Sequence, residues 1–139
     1  MQKLQPFHLA IPVKEITTTR AFYRDILELE EGRSSDHWVD FNFFGHQLVI
    51  HIAPEAIIAQ SNDVDSKSVP VPHFGVVLTL EQFKTFSERL IQKGIEFIIE
   101  PYTRFEGQAG EQSTMFFKDP SGNALEFKAF RKMDSLFEK

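Results

Sequence analysis

From Phe7 to Val13 the chain alternates, with Phe7, Leu9 and Ile11 on one face and His8 and Ala10 on the other, which predicts a strand closed by Pro12. Apolar positions then recur at helical spacing (Ile16, Ala21, Phe22, Ile26, Leu27, Leu29) and predict a helix over about 16–29, capped near Thr17 to Thr19. Two further strands are expected at His37–Phe43 and Gln47–Ala53, joined through Phe44-Gly45-His46, with Gly45 free to take a positive φ. In the second of these, Leu48, Ile50 and Ile52 share one face, and Gln47, Val49 and His51 the other.

The pattern then restarts. After a Pro-, Ser-, Asn- and Asp-containing connection over 54–71, His73 to Leu78 reads as a strand and Leu80 to Lys93 as a helix ended by Gly94. Strands at Ile95–Ile99, Thr114–Phe117 and Ala124–Phe130 complete the second set, the last two linked by the turn Asp119-Pro120-Ser121-Gly122-Asn123. Pro101–Gln112, with Gly107 and Gly110, is expected to be an irregular loop able to fold over a cleft. Two copies of a unit of about 65 residues are too few and too long for a solenoid, so pairing of two βαβββ modules is the better reading. The expected architecture is a single α+β domain over 1–139. Module one would span about 5–53 and module two about 72–130, with a tail at 131–139 and a curved mixed sheet around a cleft.

Composition narrows the chemistry. The 139 residues include 15 Phe and 42% apolar positions, ample for one core, and the formal charge of −5 argues against nucleic acid or anionic membrane as a partner. A small molecule is the expected partner. The absence of cysteine excludes disulfides, thiolate metal sites and thiol nucleophiles, so any metal must sit on His, Asp or Glu. No apolar run approaches the ~18 residues of a membrane-spanning helix and no secretory signal is evident, so a cytoplasmic location is expected.

The repeat places polar side chains at matching points. His8 and His73 each open a module, and His51 and Glu126 each lie in a closing strand, Glu126 between Leu125 and Phe127 on the opposite face. Taken singly, a strand histidine is more often a hydrogen-bonded, half-buried side chain and a strand glutamate a solvated one; their joint symmetry favours a shared ion. Two imidazoles and a carboxylate suit Fe(II), Mn(II), Zn(II), Ni(II) or Co(II) and leave positions open for substrate.

Four segments carry a resemblance: Phe7-His8-Leu9-Ala10-Ile11-Pro12-Val13, Ala21-Phe22-Tyr23-Arg24-Asp25-Ile26-Leu27, Pro72-His73-Phe74-Gly75-Val76, and Phe117-Lys118-Asp119-Pro120-Ser121-Gly122-Asn123-Ala124-Leu125-Glu126-Phe127. With these the chain resembles the glyoxalase/bleomycin-resistance/dioxygenase group, the vicinal oxygen chelate superfamily, from Phe7 to Phe130. The resemblance implies a divalent metal on His8, His73 and Glu126, and commonly a homodimer. His51 would then be either a fourth ligand or an acid/base group.

Three functions follow from it. A ring-cleaving extradiol-type dioxygenase, the preferred reading, would use Fe(II) or Mn(II) on an aromatic substrate, with His51 moving protons and Tyr102 and Arg104 anchoring an acidic substituent. Against it, the residues before Glu126 read Met115-Phe116-Phe117 where larger extradiol enzymes carry a tyrosine. A glyoxalase I-like lyase or isomerase would use Zn(II) or Ni(II), but the usual module-one glutamate is replaced by His51. A non-catalytic binding or resistance protein fits least, because all three ligands are present. His37 and His46 are expected to be surface residues, Trp38, Phe41, Phe43 and Phe44 core or interface, and Arg20, Arg24 and Asp25 exposed ion pairs; Lys128 shares the face of Glu126.

Overall fold

The computed structural model describes residues 3–53, 55, 60–64 and 67–139. The chain divides into two compact units, Met1–Ile58 with Asp119–Asn123, and Ala59–Lys118 with Ala124–Lys139.

In the first unit β1 (His8–Val13) leads into α1 (Ile16–Ala21), which continues as a wider π-helical turn over Phe22–Ile26. The helix is capped by Glu15 rather than by the following threonines: its carboxylate accepts from the Thr18 amide at 2.8 Å. Glu28 ends it in the left-handed region at φ 58°. Strands β2 (Glu31–Ser34), β3 (Trp38–Phe43) and β4 (His46–Ile52) follow, in the spatial order β1-β4-β3-β2 with β1 parallel to β4 and the rest antiparallel. β2, Glu-Gly-Arg-Ser, has no apolar alternation and is not expected from the sequence. The turn between β3 and β4 places Phe44 at φ 54° and Gly45 at φ 90°, the pair of positive values a tight hairpin needs. Phe41 and Phe43 are core, while Phe44 is exposed. Arg20 and Glu31 form a two-pronged pair with both bonds at 2.6 Å, and these bonds hold the Glu31 carboxyl below its ordinary value.

The segment Asp119–Asn123 is a polar hub of this unit. Asp119, buried, accepts from the Tyr23 hydroxyl at 2.7 Å, from the amides of Ser121 and Asn123 at 2.8 and 2.9 Å, and from Asn123 Nδ2 at 3.0 Å. Ser121 Oγ accepts from the Lys14 amide and meets Thr19 Oγ1, both at 2.9 Å, and Asn123 Nδ2 donates to the Pro12 carbonyl. Gly122 supplies the turn at φ 94°.

In the second unit, β5 (Gln60–Val64) and β6 (Lys67–Val71) form a hairpin inside the stretch expected to be connection; residues 54, 56–59, 65 and 66 of that stretch lie outside the described ones. The expected strand His73–Leu78 is divided into β7 (His73–Phe74) and β8 (Val77–Thr79), both parallel to β11 (Ala124–Phe130). β10 (Gln112–Lys118) and β9 (Phe97–Arg104) complete the sheet in antiparallel order. α2 (Leu80–Gln92) begins with a capping box, in which Thr79 Oγ1 accepts from the Gln82 amide and Gln82 Oε1 from the Thr79 amide, and its next turn after Lys93 is broken by Gly94 at φ 77°. Phe83, Phe86 and Leu90 form its buried stripe, each contributing about 2–3 kcal/mol of apolar burial. Phe86 meets Phe127 edge-on, and Phe127 stacks on Phe117. A short 3₁₀ turn, Met133–Phe137, follows β11. Among the described residues no helix is long and apolar enough to cross a membrane.

β9 runs to Arg104, five residues beyond the expected strand, so Tyr102 and Arg104 lie on a strand and not on the glycine-bearing loop. The ladder explains the difference. Arg104, Thr103 and Tyr102 pair with Gln112, Ser113 and Thr114, but Ile99 pairs with Phe116, a slip of one residue that brackets Pro101. Proline has no amide to donate, and a bulge there absorbs it.

Candidate metal centre

Glu126 and Lys128 lie on one face of β11, and their neighbours across the ladder are Phe116 and Thr114 on β10. Because the bulge restores Tyr102 to the face that Ile99 occupies, Ile99, Tyr102 and Arg104 join them. With His73, Val69, Gln112 and Ser113 these residues line a cleft of about 240 Å³ within the second unit. Val69, Ile99 and Phe116, with Tyr102 against them, make its apolar wall, and Arg104 and Lys128 bring two cations. The Phe116 ring meets His73 edge-on at 5.1 Å.

His73 and Glu126 are brought together, Nε2 to Oε1 at 3.3 Å. The outer contact of His73 fixes one of its two ring nitrogens. His73 Nδ1 lies 2.7 Å from the Pro70 carbonyl oxygen, which can only accept, so Nδ1 carries the proton. In a neutral ring Nε2 then presents a lone pair to a carboxylate oxygen, a repulsive pairing that a proton or a metal ion between them must relieve. Ligand bonds of about 2.0–2.2 Å to nitrogen and oxygen allow two neighbouring ligand atoms to stand at such a separation. The other carboxylate oxygen, Oε2, accepts from Thr114 Oγ1 at 2.6 Å. Sequence reasoning misses Thr114: a strand threonine carries no signal until the ladder places it on the face of Glu126, diagonal to that carboxylate.

Gly75 keeps this arrangement tight. A Cβ there would lie 1.6 Å from the Glu126 carbonyl oxygen, so the break between β7 and β8 lies against β11 through a bare glycine. Gly75→Ala should force the strands apart, costing about 3 kcal/mol by overpacking. A thermal melt reads the loss; an unchanged midpoint would contradict the close approach.

His8 and His51 lie in the first unit, on the face that also carries Gln47 and Val49. His8 Nδ1 stands 2.8 Å from Gln47 Oε1; exposed His51 approaches the carbonyl of Ile52, at 3.1 Å. His46, expected to be a plain surface residue, accepts from the Phe7 amide through Nδ1 at 2.8 Å. Register gives the correspondence between the units. In the second, His73 pairs with Ala124 and Glu126 is two residues on; in the first, His8 pairs with Gln47, and two residues on is Val49. The position matching Glu126 is therefore Val49, and His51 matches Lys128, a correction to the symmetry expected from the sequence. Among the described residues of one chain, no three His, Asp or Glu side chains gather as a ligand group.

An α+β chain of mixed sheets in two repeated units, with a histidine opening each, defines the class. The chain belongs to the Glyoxalase/Bleomycin resistance protein/Dioxygenase superfamily, whose family model matches residues 5–127. Among solved structures it is similar to a glyoxalase/bleomycin resistance protein/dioxygenase from Alicyclobacillus acidocaldarius, 30% identical over 99% of this chain and 100% of that one, with a TM-score of 0.79. The fosfomycin resistance protein FosX of Listeria monocytogenes shares the fold at 20% identity, covering 97% and 98% of the two chains with a TM-score of 0.69. So does a lactoylglutathione lyase from Agrobacterium tumefaciens, at 18% identity over the whole of both chains, with a TM-score of 0.68. No curated protein matches the sequence.

Proposed function

We propose that this protein is a metal-dependent enzyme acting on a small acidic molecule, with His73, Glu126 and His8 as the ligands of one divalent ion in a homodimer. The observation that carries this is His73 Nε2 set 3.3 Å from Glu126 Oε1 while Nδ1 is tied to the Pro70 carbonyl, in a cleft that also holds Arg104 and Lys128. Members of this superfamily typically bind such an ion, and two imidazoles with one carboxylate fit Fe(II) or Mn(II), with Zn(II) or Ni(II) also compatible. When bound, the ion would supply Lewis acidity and positions for two vicinal substrate oxygens. Arg104 and Tyr102 bind the acidic substituent, the wall of Val69, Ile99 and Phe116 excludes water and packs an apolar or aromatic body, and His51 serves as the acid/base group.

Val49 at the position matching Glu126 favours a three-ligand set over the four-ligand set of a glyoxalase I-like lyase, and with it extradiol-type ring cleavage. The second reading, Lewis-acid lyase or isomerase chemistry, is favoured by two cations in one cleft, which suit a dianionic substrate. Oxygen uptake with a panel of carboxylated catechols, set against loss of a glutathione hemithioacetal, separates the two; no turnover of either with the metal-loaded protein would sink both.

Which chain supplies His8 is read by complementation. Metal content should fall in both His8→Ala and Glu126→Ala proteins. If the site is shared across a dimer, refolding the two together restores one complete ligand set in each mixed dimer; if it forms within one chain, mixing restores none.

A further inference from the structure

A ligand histidine needs one nitrogen protonated and tied down so that the other keeps its lone pair. His73 obtains this from the Pro70 backbone carbonyl, whose polarity is fixed. His8 has no such carbonyl; its Nδ1 faces a glutamine amide, which could present either its oxygen or its NH₂. What decides is the next residue. Gln47 Nε2 donates to Oδ2 of Asp40 at 3.3 Å, and a carboxylate only accepts. With its NH₂ committed to Asp40, Gln47 must turn Oε1 to His8, so Nδ1 must be the donor and Nε2 is left bare.

Asp40 is suited to this. It is buried on β3, 8% exposed, and Arg33 Nε stands 3.9 Å from its Oδ2 on a side chain left mostly in solvent. β3, β4 and β1 bring the three residues together in register, with Asn42 and His8 both opposite Gln47, and Asp40 two residues from Asn42 on the same face. We propose that Asp40 and Gln47 are positioning residues that set the tautomer of His8, leaving its Nε2 as a metal ligand atom. This rests on the reading of His8 as a ligand.

The test uses the full chain in two readouts. In metal-free protein, ¹⁵N-resolved NMR followed over a pH series reads which ring nitrogen of the neutral His8 ring carries the proton. Mn(II) titration gives the affinity. Wild type should show His8 protonated on Nδ1. Gln47→Met, similar in size at an exposed position, should shift the proton towards Nε2 and weaken Mn(II) binding about 10–100-fold, the usual cost of losing an outer partner of a ligand. The double variant Asp40→Asn with Gln47→Glu rebuilds the same polarity, since the amide introduced on β3 donates and the carboxylate introduced on β4 accepts, and should restore both. If His8→Ala weakens binding while Gln47→Met leaves tautomer and affinity as in wild type, the relay is overturned and the ligand reading stands. Unchanged affinity in His8→Ala overturns the ligand reading, and the relay with it.

Discussion

Asp119→Ala should lower the stability of the protein by about 4 kcal/mol, a loss set by the number of buried groups it leaves without a partner. Asp119 is 4% exposed and accepts four hydrogen bonds, from Tyr23, Ser121 and twice from Asn123. Removing it strands a fully buried tyrosine hydroxyl and two turn amides, and each unsatisfied buried group costs about 1–3 kcal/mol. Part is recovered where water reaches the shortened side chain, hence a figure below the sum. In a chain of this size that corresponds to a midpoint lowered by roughly 10–15 °C. A variant melting within a few degrees of wild type would show that the turn, and not its carboxylate, holds the first unit together.

Tyr23→Phe separates the two halves of that hub. Phenylalanine fills the same space, Asp119 keeps its three N–H donors, and the loss at neutral pH should be about 1–2 kcal/mol. The pH dependence is more diagnostic. Burial first, then the Asp119 charge and the hydrogen bond to it, hold the Tyr23 phenol well above its ordinary value. A group whose pKa is raised on folding contributes stability fully present below its unfolded pKa, here about 10, and lost as pH rises towards the folded value. Wild type should therefore weaken above about pH 10 through Tyr23, and the Phe variant should lack that component. Parallel stability curves for the two proteins through that alkaline range would remove Tyr23 from the account.

The same hub shows what sequence alone can reveal. The turn Asp119 to Asn123 is legible as a turn, because proline and glycine at those places admit few conformations. Its role is not, because nothing local shows that the Asp119 carboxylate meets Tyr23, 96 positions earlier in the chain. The core faces of β1, β4, α2 and β11 are legible from period-two and helical spacing, since each buries one face. β2 is not, because Glu31–Ser34 is held by pairing to β3 and by the Arg20–Glu31 fork rather than by apolar burial. Tyr102 and Arg104 stand out as candidates in the sequence but read as loop residues, since Pro101 interrupts the alternation and only the bulge restores it. Counting strands matches His51 to Glu126, whereas the ladder counts residues and gives Val49. Glu126 and His73 stand out as candidates only jointly, through the repeat and the family motifs around them, because a lone strand histidine or glutamate has an ordinary explanation. Thr114, Gln47 and Asp40 become visible only with register.

Glu126→Gln is expected to abolish metal binding while leaving the fold intact, and so to isolate chemistry from stability. Glutamine has the same shape, still accepts from Thr114 Oγ1 through its amide oxygen, and sits on a side chain that retains 16% exposure, so the metal-free variant should melt close to metal-free wild type. What it lacks is the charge and a second acceptor oxygen towards His73 Nε2. Losing an outer partner costs about 10–100-fold in metal affinity, so losing the one carboxylate ligand should exceed that, at least about 10³-fold. Metal at about a hundred times its dissociation constant stabilises a folded protein by about 2.7 kcal/mol, several degrees in a chain of this length. Titrating Mn(II) or Fe(II) into metal-free wild type should raise the melting midpoint in proportion to the logarithm of concentration, with a chelator reversing it. The Gln variant should not respond over the same range. An equal shift in both proteins would place the ion elsewhere and leave the His73–Glu126 pair as an ordinary ion pair, held together by a proton on Nε2.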